Sequence, residues 1–302
     1  MKRICILGPG IVGTATGKAL KKIGHKIGFI GRNKEKAYKL QKEGFWSYTF
    51  DSLPNHSYDF DISMITIATP TDKGKIDLNP LKQVVNFLSL ILRLTKGYHL
   101  VVVKSTVPPG TTQKMVIEPI LEKTGKKLGR EIGFCMNPEY LRAETALEDS
   151  LKPWLILIGE SDKKAGLFLR EVYESFLCPI YHCSIIEAEF QKYIHNLFNA
   201  TKITFFNEMR EIGKKMGIDT SKSFKVTSLS CEGMFNPEYG TRDLGPFSGF
   251  CLPKDTQAFY SWAKTKKFDV SLLERVIEVN NRLIRSRAKY KPYIQEFDQK
   301  KL

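Results

Sequence analysis

Two clusters of residues have the types and spacing to do chemistry. Near the start, Gly8-Pro9-Gly10-Ile11-Val12-Gly13 is a G-x-G-x-x-G directly after the apolar run Arg3 to Leu7 and ahead of a helical pattern. Glycines at these places permit a tight turn, close approach of backbone to a pyrophosphate and close helix packing, while the following helix N-terminus favours the phosphate charge. Near the end, Gly249-Phe250-Cys251-Leu252-Pro253-Lys254-Asp255 puts a cysteine in a glycine-containing turn, three residues before a lysine and at the predicted start of a helix. Positive potential there favours the thiolate, the nucleophilic form. The plainer alternative is a cysteine packed in an apolar core.

A dinucleotide fold usually places an acid at the end of its second strand, hydrogen-bonded to the adenosine ribose. Here that place reads Gly31-Arg32-Asn33-Lys34. An acid would repel a 2′-phosphate, whereas glycine leaves room and Arg32 can meet it with a charge-assisted fork, so the cofactor is expected to be NADP, or NAD and NADP alike. The alternative is that Arg32 is a solvated surface charge.

The elements that must position these residues follow from periodicity. Apolar runs Arg3 to Leu7, His25 to Ile30, Ile62 to Ala68 and His99 to Lys104 alternate with helical patterns such as Ile11 to Ile23, which predicts an α/β class, Rossmann-like doubly wound parallel sheet. Gly133 to Met136 and Leu155 to Gly159 are further strands, and Ile185 to Met216 is one long helix. An all-α central domain on that connecting helix completes the expected division, 1–184 for the dinucleotide domain and 185–302 for a helical domain with the cysteine. Pro70, Thr71 and Thr106 fall just past strand C-termini, the edge where ligands bind in open sheets.

Composition sets limits. The 302 residues carry 42% apolar content, enough for two cores and too much for a disordered chain. No stretch reaches 18 uncharged apolar residues, so no membrane span is expected. Six cysteines without disulfide-scaffold density suit a reducing cytoplasm. The five histidines (His25, His56, His99, His182, His195) lack ligand spacing, so no metal is expected. The formal charge of +15 is concentrated at the start, where residues 1–50 hold eleven Lys or Arg against two acids. Without a recognition motif this does not indicate nucleic acid.

Further strings give a family resemblance. Thr69-Pro70-Thr71 with Asp77-Leu78, Lys104-Ser105-Thr106-Val107-Pro108-Pro109-Gly110-Thr111-Thr112, Asn137-Pro138-Glu139-Tyr140-Leu141-Arg142, Lys192-Tyr193-Ile194-His195-Asn196, Ala200 to Glu208 and Cys251 to Asp255 join the glycine turn in one order along the chain. Together they resemble the UDP-glucose/GDP-mannose dehydrogenase family. The resemblance implies oxidation of a nucleotide-sugar primary alcohol to a carboxylate through a thiohemiacetal and a thioester on Cys251. It implies that Lys192 and Asn196, one helical turn apart, stabilise an oxyanion, and that Glu139 and Thr106 position the hydrolytic water with Glu139 as base. Asp255 would orient that water or Lys254, and Lys254 would support charge at Cys251. Cofactor contacts are expected from Gly8, Gly10, Ile11, Val12, Gly13, Arg32, Thr69, Pro70, Thr71, Ser105 and Thr106. Tyr140, Leu141, Phe247 and Gly249, with Lys192 and Asn196, are expected at the substrate.

Departures from the family pattern accompany the matches. Ala143 stands where a second glutamate is usual and Glu144 where a glycine is, and Pro246, Ser248 and Phe250 replace Gly, Gly and Ser before Cys251. Phe235 replaces an arginine that reaches a partner subunit's sugar, and Trp154-Leu155 stands where Asp-Arg is common. The resemblance leads one to expect a further C-terminal nucleotide-sugar-binding domain that these 302 residues do not include, so that either a separate chain supplies it, or the substrate differs, or the full reaction no longer runs. The resemblance also implies a homodimer through the long helix. Two other readings stay open: a hydroxyacid or 6-phosphogluconate type of dehydrogenase with one oxidation per substrate, and a non-catalytic dinucleotide-binding subunit.

Overall fold

The computed structural model describes residues 1–54, 58–72, 74–241, 244–249 and 251–287. The readings placed on His56 and Phe250 lie outside these residues. Two compact units divide the chain, Met1–His195 and the part from Asn196 onward. In the first, β1 (Arg3–Leu7), α1 (Ile11–Lys22), β2 (Lys26–Gly31), α2 (Lys34–Lys42), β3 (Trp46–Thr49) and β4 (Ile62–Ile65) lead to a short hairpin, β5 (Thr71–Asp72) and β6 (Lys75–Ile76). There follow α3 (Asn79–Leu92), β7 (His99–Val103), a π-helical turn (Gln113–Ile117) running into α4 (Glu118–Thr124), β8 (Ile132–Met136), α5 (Ala146–Leu151), β9 (Ile156–Glu160), α6 (Lys163–Tyr173) and β10 (Ile180–Ser184).

The strands form one sheet in the order β10-β9-β8-β7-β4-β1-β2-β3. Alternation along each strand splits two cores between its faces. Ile4 and Ile6 face α1 with Phe29 and Leu40, while Cys5 and Leu7 face α3 with Leu81, Val84, Val85 and Leu88. The sheet is parallel except that β8 pairs with β9 antiparallel. The expected doubly wound parallel sheet is present, and this one antiparallel pairing is the difference from it. The connection from β8 to β9 carries a 3-10 turn (Ala143–Thr145) and the six-residue α5, and β9 returns antiparallel beside β8. An antiparallel edge on a parallel sheet is common in doubly wound folds. The run expected as a strand to Ala68 stops at Ile65, so Thr66 to Pro70 are loop.

The second unit is helical. α7 (Ile185–Lys215) begins in the first unit and continues into it, followed by α8 (Thr220–Ser230), α9 (Glu232–Phe235), α10 (Cys251–Thr265) and α11 (Ser271–Arg287). Its core is small: Ile212, Ala263 and Val270 with Phe259, Trp262 and Phe268 around them. No helix among the described residues is long and apolar enough to cross a membrane.

Candidate active site

The C-terminal ends of β1, β4, β7 and β8 share one edge of the sheet because these strands are parallel. The loops leaving them carry most of the expected residues. Gly8 turns the chain with φ +100°, and a Cβ there would stand 2.8 Å from Ile67. A Cβ on Gly13 would stand 2.4 Å from both the Gly8 carbonyl and Thr66 Oγ1, so α1 meets the strand ends closely only with glycine at this place. Gly10, the N-cap of α1, has nothing nearer than 4.0 Å to its Cβ position. No side chain caps α1, and no acid stands in its first turn. Its first amides are therefore available to an anion. A cradle that a Cβ would fill, opening on free helix amides, fits a dinucleotide pyrophosphate.

A cleft of about 440 Å³ runs from this turn, with Gly8, Pro9, Gly10 and Arg32 among its walls. Thr66, Ile67 and Ala68 line its floor, and Pro80, Gln83, Val84 and Phe87 of α3 face it. None of these α3 residues belongs to the strings that the sequence motifs pick out. Ile11, Val12, Thr69, Pro70, Thr71, Ser105 and Thr106 do not line the cleft. Ile11 is exposed, Ser105 Oγ donates to the Ile67 carbonyl at 2.7 Å, and Thr69 Oγ1 donates to the Thr106 carbonyl at 2.8 Å. Those last two side chains thus tie loops to one another.

Past β8, the Asn137-Pro138-Glu139 loop meets α7. Lys192 Nζ lies 3.1 Å from Glu139 Oε1 and donates to the Glu139 carbonyl, while Glu139 Oε2 accepts from the Leu141 amide at 2.7 Å. Tyr140 OH donates to Gln191 at 2.5 Å, and its ring packs on His195 with centroids 5.0 Å apart. Burial pushes the Tyr140 phenol up, with Cys183 and Glu139 adding to the shift. Asn196 is on the same helix one turn after Lys192 but is exposed, whereas Lys192 is buried.

Two residues of this region were not singled out by sequence. Lys104 is buried at the end of β7, donating to the Asn137 carbonyl at 3.1 Å and to Asn137 Oδ1 at 2.8 Å. Tyr173 OH donates to the same Oδ1 at 2.6 Å, and Asn137 Nδ2 donates to the Leu157 carbonyl at 2.8 Å. Burial lowers the Lys104 ammonium to about 8; Glu139 works against the shift and Lys192 adds to it. Glu189, fully buried on α7, accepts from the amides of Gly110 (2.5 Å) and Thr112 (2.7 Å) and so fixes the loop that follows Thr106.

In the second unit, Cys251 is the first residue of α10, and its thiol is free and exposed. Lys254 Nζ pairs with Asp255 Oδ1 at 2.6 Å on the open surface. The Phe247 carbonyl accepts from Asn280 Nδ2 at 3.1 Å, and Gly249 turns the chain with φ +85°. Of the departing residues, Ala143 opens a 3-10 turn, Arg142 stacks 5.4 Å over the Trp154 ring, and Phe235 is exposed at the end of α9. Among the described residues no group of three or more potential ligands could hold a metal.

Comparison with known proteins gives this arrangement a context. Residues 2–177 match the UDP-glucose/GDP-mannose dehydrogenase family, NAD binding domain. The chain belongs to the UDP-glucose/GDP-mannose dehydrogenase family. Residues 186–282 match that family's central domain. A GDP-mannose 6-dehydrogenase of Pseudomonas syringae pv. tomato is 38% identical over 222 residues, 73% of this chain and 50% of the relative. One from Pseudomonas putida is 34% identical, with 92% of this chain and 68% of the relative covered. The crystal structure of a ternary complex of GDP-mannose dehydrogenase from Pseudomonas aeruginosa superposes with a TM-score of 0.86 at 30% identity, covering 94% of this chain and 69% of that one. The chain thus spans about half the length of the first curated relatives it matches. As a family member it binds NAD(P) in the first unit, and its relatives are named for nucleotide-sugar oxidation.

Proposed function

We propose that this chain is the dinucleotide-binding and central part of a nucleotide-sugar 6-dehydrogenase, with NAD or NADP as oxidant. The observation that carries the reading is the open glycine cradle at the end of β1, on the same sheet edge as the Glu139 loop, where the buried Lys192 pairs with a half-buried Glu139. When bound, the nicotinamide supplies the hydride acceptor for both oxidations. The chain's own residues handle the intermediates. After the first hydride and proton leave the alcohol, the Cys251 sulfur adds to the aldehyde carbon and the new hydroxyl takes a proton. Loss of a second hydride and that proton leaves a thioester. Water, deprotonated by Glu139, then attacks the carbonyl, and the C–S bond breaks with the electron pair returning to sulfur. Lys192 and Asn196 would stabilise the oxyanion, with Thr106 holding the water. Lys254 and Asp255 would set the charge near the thiol, and Tyr140, Leu141, Phe247 and Gly249 would contact the sugar.

The test is stoichiometry. With GDP-mannose or UDP-glucose, two reduced cofactors should form per carboxylate. Arg32 after β2 also suits a hydroxyacid type of dehydrogenase, and a ratio of one would favour that reading. Cofactor binding with no turnover across nucleotide sugars would favour a non-catalytic subunit. Leu197, Phe198 and Ile203 on α7, and Leu283 and Ile284 on α11, are exposed apolar side chains, and their burial against a second copy is the proposed dimer contact. Light scattering should then give a dimer. The cytoplasm is the proposed compartment, since all six cysteines are free thiols.

A further inference from the structure

The outer end of the dinucleotide cleft carries an unspent pair of cations. Its wall there consists of Gly31, Arg32, Asn33 and Lys36, with Phe50 and Asp51 from the turn after β3. β2 and β3 are in register at Gly31↔Thr49, and the Phe50 amide donates to the Gly31 carbonyl at 3.1 Å, so this wall is held by sheet hydrogen bonds. A Cβ on Gly31 would stand 2.8 Å from Pro9 Cδ, inside the glycine turn. The strand end therefore has no room for the carboxylate that would receive a free ribose 2′-hydroxyl.

Beyond it, Asn33 caps α2, its Oδ1 accepting from the Lys36 amide at 2.8 Å. That cap fixes the first turn of α2 and brings Lys36 to the same wall as Arg32, four residues earlier. Neither the Arg32 guanidinium nor the Lys36 ammonium makes an ion pair or hydrogen bond among the described residues. Asp51 is the one acid in the cleft lining, against two cations, and it makes no ion pair with either. Two uncommitted donors of one sign, where an acid is sterically excluded, are complementary to a doubly charged group with three acceptor oxygens.

We infer that Lys36 and Arg32 together hold a phosphate on the adenosine 2′-hydroxyl, so that this chain takes NADP in preference to NAD. The inference rests on the dinucleotide reading above. Calorimetric titration of the whole chain with NADP, NAD, 2′,5′-ADP and 5′-AMP tests it without turnover. NADP should bind roughly tenfold or more tighter than NAD, and 2′,5′-ADP should exceed 5′-AMP by a similar factor, both advantages shrinking in high salt. Lys36→Ser and Arg32→Ser should each remove roughly tenfold of NADP affinity and leave NAD within about twofold. Equal or tighter binding of NAD, or an equal loss of NAD and NADP in Lys36→Ser, overturns the phosphate site while leaving the dinucleotide reading intact. Binding of neither dinucleotide overturns both.

Discussion

The Lys192 ammonium lies 3.1 Å from the Glu139 carboxylate, and the lysine side chain is only 5% exposed. Breaking one side of such a pair strands the other charge away from water. Lys192→Met and Glu139→Gln should each destabilise the protein by about 1–3 kcal/mol, with the double variant losing less than the two singles combined. Urea unfolding of the four proteins measures the coupling; strict additivity would show that the pair is not coupled.

Glycine positions separate stability from binding. Gly13→Ala forces a methyl to within 2.4 Å of the Gly8 carbonyl and should cost about 1–3 kcal/mol in unfolding free energy together with dinucleotide affinity. Gly10→Ala meets nothing closer than 4.0 Å in the protein, so the melting temperature should hold while dinucleotide affinity drops. Parallel melting and binding curves check the contrast.

Thiol accessibility should sort the cysteines. Cys251 and Cys231 are exposed, whereas Cys5 and Cys135 are buried and their thiols are pushed up by burial. Iodoacetamide should label Cys251 and Cys231 in the native protein and reach Cys5 and Cys135 only on unfolding. Under the proposed chemistry Cys251→Ser should abolish carboxylate formation, and undiminished four-electron turnover in that variant would remove the covalent role.

Acid stability should report on His99. It is buried in β7, its Nδ1 donating to the Phe60 carbonyl at 3.0 Å and its Nε2 accepting from Ser63 at 2.7 Å. Burial lowers it to about 4, against 6.5 for the free side chain. Above pH 6.5 both folded and unfolded forms are neutral and stability is whole; as pH falls toward 4 the unfolded chain takes the proton first. The loss from this group should reach about 3 kcal/mol. His99→Gln should flatten the decline between pH 6.5 and 4 in urea titrations.

Much of the fold was legible because buried parallel strands read as unbroken apolar runs: β1, β2 and β7 lie within a residue of their expected limits. β3 and β10 escaped notice, being edge strands in which polar residues such as Ser47 and His182 interrupt the pattern. The glycine turn was readable since backbone geometry dictates its residue type. Lys36, Lys104 and Glu189 were not, because their roles depend on what tertiary structure brings alongside: a cap at Asn33, the Asn137 carbonyl, and the amides of Gly110 and Thr112. Spacing along a helix likewise placed Lys192 and Asn196 on one side but could not foresee that the first is buried and the second exposed.

The reversal at the sheet's edge has a further effect. β8 and β9 overlap by only two residue pairs, Cys135↔Glu160 and Met136↔Gly159, so the start of β9 projects past the end of β8 as a raised lip. Leu157, on that lip, offers its carbonyl to Asn137, whose side chain also receives Lys104 and Tyr173. Ladder register thereby acts as a ruler: a slip of two residues along β9 would carry the Leu157 carbonyl some 6–7 Å away and leave the loop bearing Glu139 without its backstop.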